Sequence, residues 1–141
     1  MRIVGIDLGK RRIGVAISDA TRTLARPVGV LARPYADDDA LRLVADEIRR
    51  LTAEEDGVTG IVIGLPKRLD GTPNEMTRDV QAFAQQLSTA SGLPVALQDE
   101  RLSSREAESR LALREKDWRV RKRKLDAAAA AVILQDYLDT H

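Results

Sequence analysis

Cysteine is absent from this chain of 141 residues, and histidine occurs only once, as His141. These absences exclude disulfide scaffolds, thiol catalysis, zinc sites built from cysteine and histidine, and catalytic triads that need a histidine. Any catalysis must therefore use carboxylates, hydroxyls and basic side chains.

The chain also lacks a long apolar run. No stretch approaches the roughly 20 residues of a membrane-spanning helix, and the N-terminus does not have the basic and apolar segments of a secretory signal. We therefore expect a soluble cytoplasmic protein. The 23 basic and 22 acidic residues leave a formal charge of +1, which indicates no particular partner. A hydrophobic content of 43% over this length predicts one compact domain, 1–141.

The first part of the chain predicts three strands. Short runs rich in β-branched and small residues cover 2–8, 13–18 and 23–31, and the segment 9–12 between the first two is typical of a hairpin turn. Pro27 cannot donate a hydrogen bond to a neighbouring strand, so the third strand is expected at an edge or with a bulge. The three strands predict an antiparallel meander.

The rest of the chain alternates helices with strands. Apolar residues at helical spacing predict helices over 37–52, from Pro73 to about 91, and from about 125 to 138. A capping box of Thr72 and Glu75 begins the second helix, and another of Ser103 and Glu106 predicts a further helix. Strands are expected at 60–64 and 95–98. The whole order predicts an α/β fold with a mixed five-stranded sheet and helices on both faces.

Three carboxylates occupy positions that suggest a site. Asp7 lies inside an apolar strand, where an unpaired carboxylate is costly. Glu100 follows Asp99 at the carboxyl end of the fifth strand, where α/β sheets place ligands. Asp126 shares a helical face with small and apolar residues, namely Ala129, Ala130, Ile133 and Tyr137.

Each acid also has an ordinary explanation. Asp7 could prepare the turn at Gly9, Asp99 and Glu100 could be a solvated loop pair, and Asp126 could be a first-turn acid stabilised by the helix dipole. If the three acids act together, they form an oxygen-only site that suits Mg²⁺ or Mn²⁺. Two such ions would clamp the attacking and leaving oxygens of a phosphodiester, so no protein nucleophile is needed.

Basic residues are concentrated around the only tryptophan. Segment 114–124 reads REKDWRVRKRK, with seven basic and two acidic residues. A charge run of this kind is often a solvated face, but it also fits phosphate contacts with a tryptophan available for stacking. Further cations follow the first and fourth strands. The expected nucleic-acid-binding residues are Lys10, Arg11, Arg12, Lys67, Arg68, Trp118, Arg119, Arg121, Lys122, Arg123 and Lys124.

Four ordered motifs resemble the YqgF family, also called RuvX. They read GIDLGKRRIGVAISD at 5–19, VIGLPKRLDGT at 62–72, DERLSSREA at 99–107 and KLDAAAAAVILQDYL at 124–138, so the resemblance spans nearly the whole chain. It implies a ribonuclease H-like fold with a five-stranded mixed sheet. It also implies a Holliday-junction-resolvase-like nuclease that matures the 5′ end of pre-16S ribosomal RNA, with its acidic positions at Asp7, Glu100 and Asp126.

Other functions remain open at this point. The related RuvC resolvases carry a further acid one helical turn beyond the last catalytic aspartate, where this chain has Ala129. Cutting of a single strand is therefore favoured over resolution of a DNA junction, which would also need a dimer. The remaining alternatives are a non-catalytic nucleic-acid-binding module of the same fold and a sugar-kinase-type phosphotransferase, whose second large domain this length cannot supply.

Overall fold

The computed structural model describes residues 1–66, 71–99 and 118–141, and for 118–126 it describes the backbone. The predicted helix at Ser103 lies outside the described residues. None of the described helices combines the length and the apolar character of a membrane span. In chain order, the described elements are β1 (Arg2–Leu8), β2 (Arg12–Ser18), β3 (Ala25–Ala32), α1 (Asp37–Thr52), β4 (Val58–Leu65), α2 (Glu75–Ser91), β5 (Val95–Asp99) and α3 (Trp118–Thr140).

The described strands form one five-stranded sheet in the order β3-β2-β1-β4-β5. β1, β2 and β3 pair antiparallel, which confirms the predicted meander, whereas β4 pairs parallel with β1 and β5 pairs parallel with β4. β1 is therefore the central strand. The carboxyl ends of β1, β4 and β5 lie at the same edge of the sheet, called the carboxyl edge below.

The edge strand β3 has an irregularity at its proline. Val15 pairs with Gly29 but Ala16 pairs with Pro27, so Val28 is an extra residue in β3. A bulged edge strand accommodates a proline because no ladder hydrogen bond is required from it there. Both parts of the prediction for this strand, the edge position and the bulge, are confirmed.

Helices cover both faces of the sheet. Between the sheet and α1 and α2 lies the larger core, where Val4, Ile6 and Leu8 of β1 are at most 4% exposed. Between the sheet and α3 lies a smaller core whose buried members are Ala16, Val62, Ala130, Ile133 and Leu134. Alternation along β1 therefore directs Ile3, Gly5 and Asp7 toward α3.

The start of α2 differs from the prediction. Its N-cap is Asn74 instead of Thr72, and the reciprocal partner is Thr77 instead of Glu75. Asn74 Oδ1 accepts a hydrogen bond from Thr77 N–H at 2.9 Å, and Thr77 Oγ1 accepts one from Asn74 N–H at 2.9 Å. Asparagine ranks above threonine as an N-cap, so the capping box of Asn74 and Thr77 forms and the predicted one of Thr72 and Glu75 does not. The Thr77 hydroxyl also donates to the Pro66 carbonyl, which attaches α2 to the end of β4.

The last helix, α3, begins earlier than predicted. It starts at Trp118 instead of about residue 125 and ends at Thr140. The basic segment 118–124 is therefore its first two turns and not a chain leading to it. Arginine and lysine favour helix formation, but these turns have no apolar stripe, so the search for apolar periodicity missed them.

Candidate metal centre and nucleic-acid interface

Asp7 lies near the carboxyl end of β1 on the face that α3 covers. It pairs with Gly14 in the β1–β2 ladder, so it belongs to the strand. Its backbone carbonyl also accepts a hydrogen bond from Gly9 N–H at 3.2 Å, as the interpretation of Asp7 as a residue that prepares this turn expects. Its neighbours Ile6 and Leu8 are buried on the opposite face in the larger core. Asp7 itself is half-buried. A carboxylate at this depth is stable only with hydrogen bonds or cations to compensate its charge.

Glycine stands beside Asp7 on both neighbouring strands. Gly14 of β2 is its direct partner. On β4, Ile63 pairs with Ile6, and continuing that register by one residue brings Gly64 beside Asp7. Because glycine has no side chain, neither neighbouring strand places a side chain beside the Asp7 carboxylate on the α3 face. Glycine within a strand often marks the close approach of a ligand, and this signal was present in the sequence but was not used to predict the site.

A third glycine sets the distance between β1 and α3. A Cβ atom placed on Gly5 would lie 2.7 Å from Leu134 Cβ and 3.1 Å from the Ala130 carbonyl oxygen. Real Cβ atoms do not approach another carbon so closely, and the Ala130 oxygen is backbone that cannot move alone. Glycine at this position therefore allows α3 to pack directly on the central strand.

Close packing at Gly5 gives a stability prediction. Gly5→Ala should lower the free energy of unfolding by about 1–3 kcal/mol, the usual cost of overpacking a core. The matched control is Gly60→Ala on β4, where the added Cβ would meet only ordinary contacts, the nearest being the Pro94 oxygen at 3.7 Å. Urea denaturation of both variants measures the difference. Equal stabilities would show that α3 does not depend on Gly5 for its approach.

The last helix, α3, and the central strand, β1, run in opposite directions. Near the C-terminal end of α3, Gln135 Oε1 accepts a hydrogen bond from Ala25 N–H at 2.9 Å, and Gln135 Nε2 donates to the Thr23 carbonyl at 2.9 Å. Ala25 pairs with Ser18, whose hydroxyl accepts a hydrogen bond from Ile3 N–H at the start of β1. The C-terminal end of α3 therefore lies at the start of β1, and its N-terminal half lies toward the carboxyl edge.

This orientation brings the backbone of Asp126 level with Asp7. Asp126 precedes Ala130 by four residues on the same helical face, a rise of about 6 Å. Asp7 follows Gly5 by two residues along β1, a rise of about 6.6 Å, and Gly5 is the residue that meets Ala130. Asp126 also lies in the third turn of α3. The first turn of this helix contains no acidic residue. The interpretation of Asp126 as a first-turn acid is therefore wrong.

The other proposed ligand cannot be placed in the same way. Glu100 lies outside the described residues, and the side chain of Asp126 is also outside them. Among the described side chains, no group of three His, Cys, Asp or Glu residues could hold a metal ion. Asp99 is the last residue of β5. It is four residues after Val95 and so lies on the same face of the strand, and Val95 packs against the larger core. Asp99 is therefore on the opposite face from Asp7.

Two of the basic residues after β1 are exposed at the carboxyl edge. Lys10 and Arg11 are exposed and Arg12 is half-buried. Gly9 N–H donates to the Arg12 carbonyl at 2.9 Å, which closes the turn. Arg33 holds this turn from outside, because its N–H donates to the Arg11 carbonyl at 2.9 Å and its Nη1 donates to the Gly9 carbonyl at 2.8 Å.

The remaining predicted nucleic-acid contacts are only partly described. Trp118, Arg119, Arg121, Lys122, Arg123 and Lys124 belong to the first two turns of α3, at the end that points toward the carboxyl edge, and their side chains lie outside the described residues. Lys67 and Arg68 lie outside the described residues altogether; they follow Pro66, beyond the end of β4.

One further acid of the first motif has a structural role. Asp19 lies at the opposite end of the sheet, where its Oδ1 accepts a hydrogen bond from Thr23 N–H at 2.7 Å and another from Leu24 N–H at 3.3 Å. The hydrogen bond from Thr23 is the main reason that the pKa of Asp19 is lowered from its ordinary value. Asp19 therefore closes the β2–β3 turn and does not belong to the candidate site.

Solved structures with similar folds include a RuvC protein and a hexokinase. RuvC of Thermus thermophilus in complex with a Holliday junction substrate matches with a TM-score of 0.59 at 15% identity, over 99% of this chain and 95% of that chain. The ROK hexokinase of Thermus thermophilus matches with a TM-score of 0.50 at 23% identity, over 77% of this chain but only 38% of that chain. At these identities the likeness shows the fold alone, which is ribonuclease H-like as predicted.

Sequence comparison gives a closer relationship. Proteins from Anaeromyxobacter sp. (strain K) and Symbiobacterium thermophilum, both named "Putative pre-16S rRNA nuclease", are 45% and 44% identical to this chain. The matches cover 99% of this chain in both cases, and 97% and 92% of the two relatives. The family model described as "RuvX: Holliday junction resolvase" matches residues 1–140. The chain therefore belongs to the RuvX family.

Proposed function

We propose that this chain is a metal-dependent nuclease that hydrolyses phosphodiester bonds with Asp7, Glu100 and Asp126. The observation that supports this most is the setting of Asp7. Asp7 is half-buried on the central strand, and the residues beside it on both neighbouring strands are glycines. It lies level with the backbone of Asp126 on α3, the helix that packs directly on this strand. In this proposal Glu100, which directly follows β5, supplies the third carboxylate at the carboxyl edge.

The residues present fit a hard divalent cation. The proposed donors are all carboxylate oxygens, which Mg²⁺ and Mn²⁺ prefer, and the chain has no cysteine and one histidine to attract softer metals. In this proposal the ion and a phosphate oxygen lie beside Asp7, where Gly14 and Gly64 of the neighbouring strands place no side chain. When bound, the ion would stabilise the negative charge that develops on the phosphate oxygens during hydrolysis.

The protein's own cations would hold the substrate. Lys10 and Arg11 are exposed at the turn that directly follows β1, three and four positions after Asp7. Phosphate contacts from these residues and from the basic start of α3 would position the nucleic-acid backbone without reading its sequence. Binding should therefore be sensitive to salt, whereas the choice of scissile bond depends on the position of the carboxylates.

The proposed substrate is the 5′ end of precursor 16S ribosomal RNA, which would place the reaction in the cytoplasm. Relatives named for this activity are 42–45% identical to the chain over nearly its full length. A second candidate is a DNA four-way junction, because the family is described as Holliday junction resolvase. Where RuvC resolvases carry their further acid, this chain has Ala129, which is only 3% exposed and supplies no carboxylate. RNA is therefore the preferred substrate in this proposal.

A direct comparison of substrates tests the proposed function. The protein would be incubated with Mn²⁺ and end-labelled single-stranded RNA carrying the 16S precursor junction, duplex RNA, single-stranded DNA and a four-way DNA junction. We expect cleavage of the RNA at the precursor junction, and its loss in EDTA. Symmetrical cutting of the four-way junction alone would favour the resolvase. Tight binding of nucleic acid without cleavage of any substrate would identify a non-catalytic module.

The basic start of α3 gives a separate prediction on binding. Replacing Arg121, Lys122, Arg123 and Lys124 together by alanine should weaken the binding of all RNA sequences alike. The slope of log affinity against log salt should fall by roughly 0.7 for each phosphate of a single strand that the variant no longer neutralises. Alanine favours the helix, so α3 should persist. A matched control replaces Arg42, Arg49 and Arg50 of α1, on the other face of the sheet. Equal salt slopes for both variants would show that the α3 residues only face solvent.

A further inference from the structure

Tyr35 differs from the other aromatic residues that the structure describes in full. It is fully exposed, at 105%, in the segment between β3 and α1. Phe83 is buried in the larger core, and Tyr137 packs against the smaller core and stacks on His141. A whole aromatic side chain left in solvent contributes nothing to the folded core. Both faces of the Tyr35 ring are therefore available to a partner.

The segment that carries Tyr35 is attached to the basic turn after β1. Arg33 is bonded through its backbone N–H to Arg11 and through its guanidinium to the Gly9 carbonyl. Tyr35 is two positions after Arg33, a reach of at most about 7 Å. Pro34, between them, restricts the backbone on its own and the preceding residue. Tyr35 therefore lies at the carboxyl edge, two positions along the chain from the residue that is bonded to the basic turn.

The charges around Tyr35 define where a polyanion can lie. Lys10 and Arg11 are exposed at the turn after β1. A cleft of about 270 Å³ between α1 and α2 is lined by the acids Asp37, Asp38 and Asp79 and by one cation, Arg33, so its charged lining is net negative. Carboxylates in that cleft repel phosphate, whereas the turn attracts it. A nucleic-acid strand at Tyr35 would therefore run over the turn and not between the two helices.

We propose that Tyr35, Lys10 and Arg11 form a binding platform for single-stranded nucleic acid, on which one unpaired base stacks against the tyrosine ring while the two cations hold the adjacent phosphates. An aromatic ring beside cations is the usual composition of a single-strand binding surface, and stacking accepts any base. The platform rests on the proposed nuclease function for its purpose, since it would hold single-stranded segments at the carboxyl edge, where Asp7 also lies. Bases paired within a duplex cannot reach the ring.

Binding measurements in EDTA test the platform without any cleavage. The affinities of the full-length protein, Tyr35→Ala and Tyr35→Phe for a fluorescent single-stranded RNA and a blunt duplex RNA would be measured by anisotropy. Tyr35→Ala should weaken single-strand binding by about 5- to 150-fold, the effect of losing one stacked base. Tyr35→Phe should retain the affinity. Tyr35→Ala should leave duplex binding and the salt slope unchanged because no charge is removed, whereas replacing Lys10 and Arg11 by alanine should flatten that slope.

The control variant is Leu24→Ala. Leu24 is 64% exposed at the β2–β3 turn, at the opposite end of the sheet, so it should not affect binding. Unchanged single-strand affinity in Tyr35→Ala, or an equal loss for duplex RNA or in Leu24→Ala, would overturn the platform. A protein that cuts no substrate but shows the predicted loss in Tyr35→Ala would reject the nuclease and keep the platform. A protein that cuts RNA while Tyr35→Ala binds normally would reject the platform alone.

Discussion

Replacing Asp7 by asparagine is expected to lower the rate of RNA cleavage roughly a thousandfold or more, because a catalytic ion contributes several kcal/mol to the barrier and each 1.36 kcal/mol is a factor of ten. Asparagine keeps the size of the side chain and removes the charge that would hold the ion. Glu100→Gln and Asp126→Asn should have effects of the same order, since the three acids are proposed to act as one cluster.

The matched control for these variants is Asp56→Asn. Asp56 is exposed next to the start of β4, at the opposite end of the sheet from the proposed site. Its replacement removes the same charge and should leave cleavage unchanged. Single-turnover cleavage with Mn²⁺ and circular dichroism of each variant separate lost chemistry from lost structure. Cleavage at the wild-type rate by any two of the three site variants would reject the cluster.

Addition of Mn²⁺ should raise the stability of the protein by about 2.7 kcal/mol at one hundred times the dissociation constant. In the proposed account the ion binds the folded chain, in which folding brings the three carboxylates together, and does not bind the unfolded chain appreciably. Mass action then shifts the melting temperature upward as the ion concentration rises. A melting series from EDTA through increasing Mn²⁺ measures this response, which should be absent in Asp7→Asn and complete in Asp56→Asn.

Asp126→Asn gives the sharper form of this stability test. Without metal, carboxylates at the proposed site repel one another, so removal of one charge should leave the metal-free variant melting at or above the metal-free wild type. The same variant should lose most of the stabilisation by Mn²⁺. If metal-free Asp126→Asn melts well below the wild type, or keeps the full metal response, Asp126 has a structural role and the assignment of the ligands is wrong.

Sequence patterns predicted most of the fold because the strands and α1 carry strong local signals. The runs around Ile6 and Val15 are apolar and β-branched, and the proline in β3 limited that strand to an edge with a bulge. The two errors arose where local signals competed or were missing. At the start of α2, the predicted capping box of Thr72 and Glu75 overlaps the one of Asn74 and Thr77, and α2 begins with Asn74, the better N-cap, as its N-cap residue. The first turns of α3 are basic and have no apolar stripe to reveal them.

The candidate site was only partly predictable for a different reason. The depth of Asp7 inside an apolar run is visible in the sequence. Its two glycine neighbours depend on which residues of β2 and β4 pair beside it, and that register is set by the pairing of the strands. The same holds for Gly5, whose contact with Ala130 and Leu134 exists only once α3 packs on the sheet. The attachment of Tyr35 to the basic turn likewise depends on tertiary hydrogen bonds of Arg33.

The most direct test of the central claim is a titration of the protein with Mn²⁺ in the absence of nucleic acid, followed by electron paramagnetic resonance, because it does not depend on the identity of the substrate. Wild-type protein and Asp56→Asn should bind Mn²⁺ with the same affinity and the same number of ions. Asp7→Asn should lose this binding while keeping the fold. Wild-type affinity for Mn²⁺ in Asp7→Asn would contradict the account, because the central-strand carboxylate would then hold no metal.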